Sequence, residues 1–138
     1  MPVEEQKLFL KNEYAEAIRY MDNAKKALKE AGKEDNSYYK DDKYVRTACG
    51  VAYLGVLRAL DAWLKVKGVE LPKKKKSKSI EYYMDSVAKL DGKMRTRLSS
   101  AYNALHLAGY YWGERKIKMI DSGFEDAYEI IDKIKPCA

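Results

Sequence analysis

Leu10, Tyr14, Ala17, Met21, Ala24, Leu28 and Ala31 follow one another at alternating intervals of four and three residues. That repeat is the buried stripe of an amphipathic helix. It predicts a first helix over about residues 4–31, with Gly32 as its stop signal. Residues 32–42 are polar and interrupt the repeat, and Asp41 or Asp42 stands where the next helix needs an N-cap. A second helix is expected over about 43–67. Val45, Cys49, Ala52, Val56, Leu60, Trp63 and Leu64 form its main stripe, and Ala48, Val51, Leu54, Leu57 and Ala59 fill most of its other faces. A helix apolar on nearly all sides is a central one. Gly50 and Gly55 inside it cost helix propensity, which the close approach of a neighbour would explain.

Gly68 ends this helix, and a basic loop over about 68–78 follows it. Ser77 or Ser79 can cap a third helix, about 80–90, whose apolar side is Ile80, Tyr83, Met84, Val87 and Leu90. Asp91-Gly92 is a tight break. Met94, Leu98, Ala101, Leu105, Ala108 and Trp112 then give a fourth stripe at intervals of four and three. This helix stops at Gly113 or runs on through Ile117 and Ile120. Ser122-Gly123-Phe124-Glu125 reads as a capping box opening a fifth helix, with Phe124, Ala127, Tyr128, Ile131 and Ile134 inward and Pro136 closing it. Two threonines against fifteen alanines and twelve leucines favour helix throughout. The expected fold is all-α: a single-domain antiparallel bundle of about five helices spanning residues 1–138.

Charge sharpens this picture. Residues 65–78 carry seven lysines and one acid, Glu70, which equals the whole net charge of +6; the other 124 residues balance 20 bases with 20 acids. Lys73, Lys74, Lys75, Lys76 and Lys78 are candidate phosphate contacts. They lack the arginines and interleaved aromatics of single-strand or base-reading sites. Any nucleic-acid affinity is therefore expected to be weak and nonspecific, and a solvated loop is the favoured reading. The acidic start Met1-Pro2-Val3-Glu4-Glu5 lacks the features of a signal peptide. The longest uncharged stretch, residues 98–113, is sixteen residues long and includes Ser99, Ser100, Asn103 and His106, against about 20 mostly apolar residues for a membrane span. With only Cys49 and Cys137, no disulfide framework is evident. A cytoplasmic protein with no membrane partner is expected.

Little of the sequence points to catalysis. The single histidine, His106, has no nucleophile elbow near it, and a structural role is favoured for it. Asn103-x-x-His106 puts an amide where a di-iron bundle needs a carboxylate, and there is no second histidine. Neither a zinc spacing nor a phosphate-binding glycine loop is present, so no metal or cofactor is expected. The tyrosine doublets Tyr38-Tyr39, Tyr82-Tyr83 and Tyr110-Tyr111 should each turn one ring to the core and one to the boundary. Ser99, Asn103, His106 and Tyr110, spaced four, three and four, form an uncharged polar stripe beside the apolar stripe of the fourth helix. Unpaired in a monomer core, each such group would cost about 1–3 kcal/mol. These four residues are the candidates for a groove or a subunit interface, and Gly109 and Gly113 would permit close helix approach there.

Residues 47–134 resemble HEPN domains, the small helical bundles of bacterial toxins and of proteins encoded beside nucleotidyltransferases. The resemblance is carried by Ala52-Tyr53, Leu60-Asp61-Ala62-Trp63-Leu64, the Lys67-Gly68-Val69 turn, residues 101–112 and Gly123-Phe124-Glu125-Asp126-Ala127. It implies a bundle fold, a homodimer and a bacterial family of unknown function. The ribonuclease motif of such domains is an arginine, four to six intervening residues, and then the histidine. Counting back from His106, those places hold Ser99, Ser100 and Ala101. Arg97 lies nine residues before His106, about 13.5 Å along a helix axis. The expectation is a non-catalytic HEPN-like binding or interaction module, dimeric or with another protein partner. Two rivals are a ribonuclease using His106 with a displaced Arg95 or Arg97, and an RNA or nucleotide adaptor using the lysine loop.

Overall fold

The architecture is that of a computed structural model, which describes residues 1–69 and 79–136. Helix α1 (Val3–Ala31) and helix α2 (Asp42–Val66) pack along each other. Helix α3 (Ile80–Ala88) and helix α4 (Gly92–Ala101) follow; α4 runs directly into a π-helical segment, Tyr102–Tyr111. Helix α5 (Ile117–Ile131) and a 3₁₀ turn, Asp132–Ile134, complete the order. The chain is thus an all-α domain of five packed helices. The lysines 73–76 and 78, the other residues of the basic loop from 70 on, and Cys137 lie outside the described residues.

The termini follow from local chemistry. Asp41 is extended and accepts from the Lys43 N–H, Ser79 accepts from the Tyr82 N–H, and Asp91 accepts from both the Lys93 and Met94 N–H groups. Each supplies the acceptor that the open first turn of a helix lacks. Helix α2 is the core. Twelve of its 25 residues are buried, among them Val45, Cys49, Ala52, Val56, Leu60 and Leu64. It has the length and apolarity of a spanning helix, and 56% of that apolar window is buried inside the bundle. Two buried phenols tie the connections down. Tyr39 donates to Asp121 at 2.8 Å, and Tyr83 donates to Asp61 at 2.9 Å. Burial, reinforced by the carboxylate, pushes both hydroxyls far above the ordinary tyrosine range.

Three expectations are corrected. The fourth helix does stop before Gly113, but the fifth begins at Ile117, not at a capping box formed by Ser122-Gly123-Phe124-Glu125. Those residues lie inside α5, where Ile117, Ile120, Phe124, Ala127 and Ile131 make one continuous buried stripe. Glu114 serves the start of α5 instead, accepting from the Arg115 and Lys116 N–H groups. Trp112, predicted inward, is 74% exposed, and the Tyr110-Tyr111 doublet has both rings exposed rather than one inward. The cause is common to both. A π-helix bonds i to i+5, so beyond Leu105 the buried line passes to Gly109 and leaves Trp112 outside.

The π-helical segment depends on a close approach. A Cβ on Gly109 would stand 2.3 Å from Cys49 Sγ and 2.7 Å from Cys49 Cβ. Gly109→Ala is expected to destabilise the fold by about 1–3 kcal/mol through overpacking, read as a lower urea midpoint. Cys49→Ala in the same chain, which removes the nearer clash, should recover part of the loss. An unchanged midpoint for Gly109→Ala would show that the two helices are not in contact there.

Candidate functional site

The largely apolar face between α2 and the π-helical segment opens into a groove of about 540 Å³, lined by Thr47, Gly50, Val51, Tyr53, Leu54, Leu57, His106 and Tyr110. On α2 these are the positions left over when the main stripe turns to the core: Val51 and Leu57 are half-buried and Leu54 is exposed. Gly50 lets the facing ring come down. Its missing Cβ would meet Tyr110 Cδ1 at 2.8 Å.

Of the four stripe residues, the groove takes in His106 and Tyr110. Ser99 is half-buried and Asn103 exposed, and neither lines it. A spacing of three residues keeps two side chains on one face of an α-helix, but not where a turn holds more than four residues. What the π-helix aligns is an interval of four. Tyr102 stacks on His106 at 5.1 Å between ring centroids, and His106 on Tyr110 at 5.9 Å, with interplanar angles of 18° and 17°. Tyr53 joins from α2, 4.9 Å from His106 and 5.9 Å from Tyr102. Sequence reasoning missed Tyr53 and Tyr102. The four-residue spacing of Tyr102, His106 and Tyr110 was the available signal, hidden by the assumption of an α-helical period.

A third missed residue fixes the end of this segment. Arg46, on α2 next to Thr47, donates from Nη1 to the carbonyls of Tyr111 (2.7 Å) and Tyr110 (3.3 Å), while its Nε pairs with Asp42 at 3.2 Å. These carbonyls belong to the last turn of a helix, which has no partners of its own. Gly113 turns the chain away at φ 68°, and the Glu114 N–H closes on Ala108 O at 2.8 Å. Glycine is the residue favoured at this position. Its φ is in the left-handed region, and a Cβ would meet the Arg46 guanidinium at 2.5 Å.

Residues 12–136 match a domain of unknown function, DUF5618. The chain belongs to the DUF5618 family. It is similar to a protein of unknown function from Dyadobacter fermentans, with 33% identity and a TM-score of 0.78 over 91% of this chain and 94% of that one. No curated protein matches.

In this DUF5618 chain the charged chemistry lies on another side. Arg97 donates to the buried carboxylate of Asp126 at 3.1 Å and pairs with Glu129, and Ser100 donates to the second oxygen of Asp126 at 2.5 Å. Asp126 is the one buried charged residue among those described, and it is held by two donors, as a buried charge must be. Arg97 is therefore turned to α5, whereas His106 is turned to α2. Among the described residues, no carboxylate or arginine lines the groove. Burial pushes the Tyr53 hydroxyl and the Cys49 thiol both up to about 12, so both are protonated at neutral pH. Among the described residues, no group of three or more His, Cys, Asp or Glu is placed to hold a metal.

Arg46→Ala should cost about 1 kcal/mol, since its hydrogen bonds are charge-assisted but partly exposed. Amide exchange should accelerate over residues 107–113 and stay unchanged in α1. Uniform exchange across the chain would remove Arg46 from this role.

Proposed function

We propose that this DUF5618 chain is a non-catalytic, HEPN-like interaction module that works as a homodimer, with the face formed by α2 and the π-helical segment as the shared surface. The observation that carries this reading is the meeting of the chain's two longest uncharged stretches. Residues 47–57 and 98–113 contribute every lining residue of the groove, in a protein that is 35% charged. Scattered apolar residues on a surface need no explanation, but a contiguous patch does. Leu54, Tyr110, Tyr111 and Trp112 are all exposed. The half-buried His106 also fits a shared surface, where a ring nitrogen can pair across the contact or with ordered water.

The absence of catalysis is supported by the surroundings of His106. Its ring neighbours are three tyrosines. Arg97 is engaged by two carboxylates on α5, and Arg46 is engaged by backbone carbonyls and Asp42. A ribonuclease would need an arginine converging with the imidazole on one phosphate.

Sedimentation velocity tests the dimer. His106→Glu places a carboxylate in the contact and should raise the dimer Kd about tenfold or more with unchanged helical circular dichroism. Incubation with structured and single-stranded RNAs should leave them intact. Cleavage that disappears in His106→Ala would overturn the non-catalytic reading, and a wild-type protein that stays monomeric at high concentration would overturn the dimer.

A further inference from the structure

Among the described residues three tyrosines are buried: Tyr39, Tyr53 and Tyr83. Tyr39 donates its hydroxyl to Asp121, and Tyr83 donates to Asp61. Tyr53 is 8% exposed, yet its hydroxyl makes no hydrogen bond to any described residue. An unpaired buried hydroxyl is costly. This one is not sealed, because no side-chain nitrogen or oxygen among the described residues is both enclosed and without a partner. The hydroxyl therefore reaches open space, and the space that Tyr53 lines is the groove between α2 and the π-helical segment.

His106 stands beside it, with ring centroids 4.9 Å apart. The imidazole is half-buried and lines the same groove, and its nitrogens likewise bond to no described residue. In the neutral ring one nitrogen donates and the other accepts. Thr47, by contrast, is already committed, donating to the Lys43 carbonyl at 3.0 Å. The groove thus holds two adjacent polar groups that the fold leaves unused.

The remaining lining sets what those groups can receive. Val51, Leu54 and Leu57 are apolar, and none of the lining residues is an acid, a lysine or an arginine. A charged ligand would lose its water there with no counter-charge in exchange. Rings stand on both walls, Tyr53 from α2 and His106 with Tyr110 from the π-helical segment, so a flat aromatic body gains offset or edge contacts. At about 540 Å³ the groove lies within the roughly 300–1,000 Å³ of small-molecule sites, which combine apolar walls with a few placed polar groups.

We propose that this groove binds a small uncharged aromatic molecule bearing a hydroxyl, which accepts from the Tyr53 hydroxyl and donates to the free imidazole nitrogen of His106. The site belongs to a single chain. It goes beyond the homodimer reading and does not need it.

Phenol, toluene and benzoate test it, since they carry a hydroxyl, a methyl and a carboxylate on the same ring. The chain has one histidine, so a single imidazole signal in a proton NMR titration reports on the groove. Phenol should move that signal saturably, and benzoate should leave it in place. Tyr53→Phe keeps the ring and removes a hydroxyl that bonds nothing in the fold, so helical circular dichroism should be unchanged. It should weaken phenol about fivefold and leave toluene as before. A signal that no probe moves, benzoate binding as well as phenol, or an unchanged ratio of phenol to toluene affinity in Tyr53→Phe overturns the site. Sedimentation of the same samples separates this result from the dimer. A monomer that binds phenol overturns the homodimer and leaves the site, and a dimer whose His106 signal no probe moves overturns the site and leaves the homodimer.

Discussion

The approach of the π-helical segment to α2, with Gly109 laid on Cys49, is the contact on which the rest of this face depends. It brings two backbones closer than any side chain at position 109 would permit. From that closeness come the seat of the Tyr110 ring on Gly50 and the reach of Arg46 to the carbonyls of Tyr110 and Tyr111. The stacking of Tyr102, His106 and Tyr110 follows from the widened turn itself. π-helical turns are rare and gather at functional sites, and here ten consecutive residues adopt one. The cost of the wider turn is offset where its end is captured: an arginine from the facing helix takes the last carbonyls, and a left-handed glycine turns the chain away.

The continuous run of α4 and the π-helical segment divides its chemistry by side. Lys93, Arg97 and Ser100 line a polar recess with Asp126 of α5, and every charged hydrogen bond there is closed within the bundle. Toward α2, residues 98–113 themselves present no charged side chain, and the one charge that meets them is Arg46 of α2, among the described residues. Breaking the Arg97–Asp126 pair would leave a buried carboxylate with the Ser100 hydroxyl as its remaining donor, a large cost, so that side reads as structure. The uncharged side packs Leu105 and Gly109 against the bundle and leaves Tyr110 and Tyr111 exposed at its edge.

The packing that holds the fold together also keeps Cys49 and Tyr53 protonated. Cys49 lies at the point of closest helix approach, and burial keeps its thiol protonated; Tyr53 is protonated beneath the ring stack. A thiol must be a thiolate to attack. The family match and the Dyadobacter fermentans protein extend the fold to relatives of unknown function. In this chain Cys49 packs against Gly109.

The sequence by itself determined the five helices, the cap candidates Asp41 or Asp42 and Ser77 or Ser79, the break at Asp91-Gly92, the central place of α2 and the uncharged character of residues 98–113. These rest on local periodicity and on side chains bonding to backbone two or three residues away, and both are written in short windows. It misread the start of α5, because Ser122-Gly123-Phe124-Glu125 satisfies a capping pattern that an uninterrupted apolar stripe overrides. It also placed Trp112 inward, and it grouped Ser99 and Asn103 with His106. Only the tertiary structure decided these, and the reason is one of scale. The choice between an α and a π turn depends on whether Gly109 meets Cys49 and whether Arg46 finds a carbonyl, sixty residues or more apart in the chain. No window of neighbouring residues contains both partners, so the face that emerges from that contact had to be seen in three dimensions.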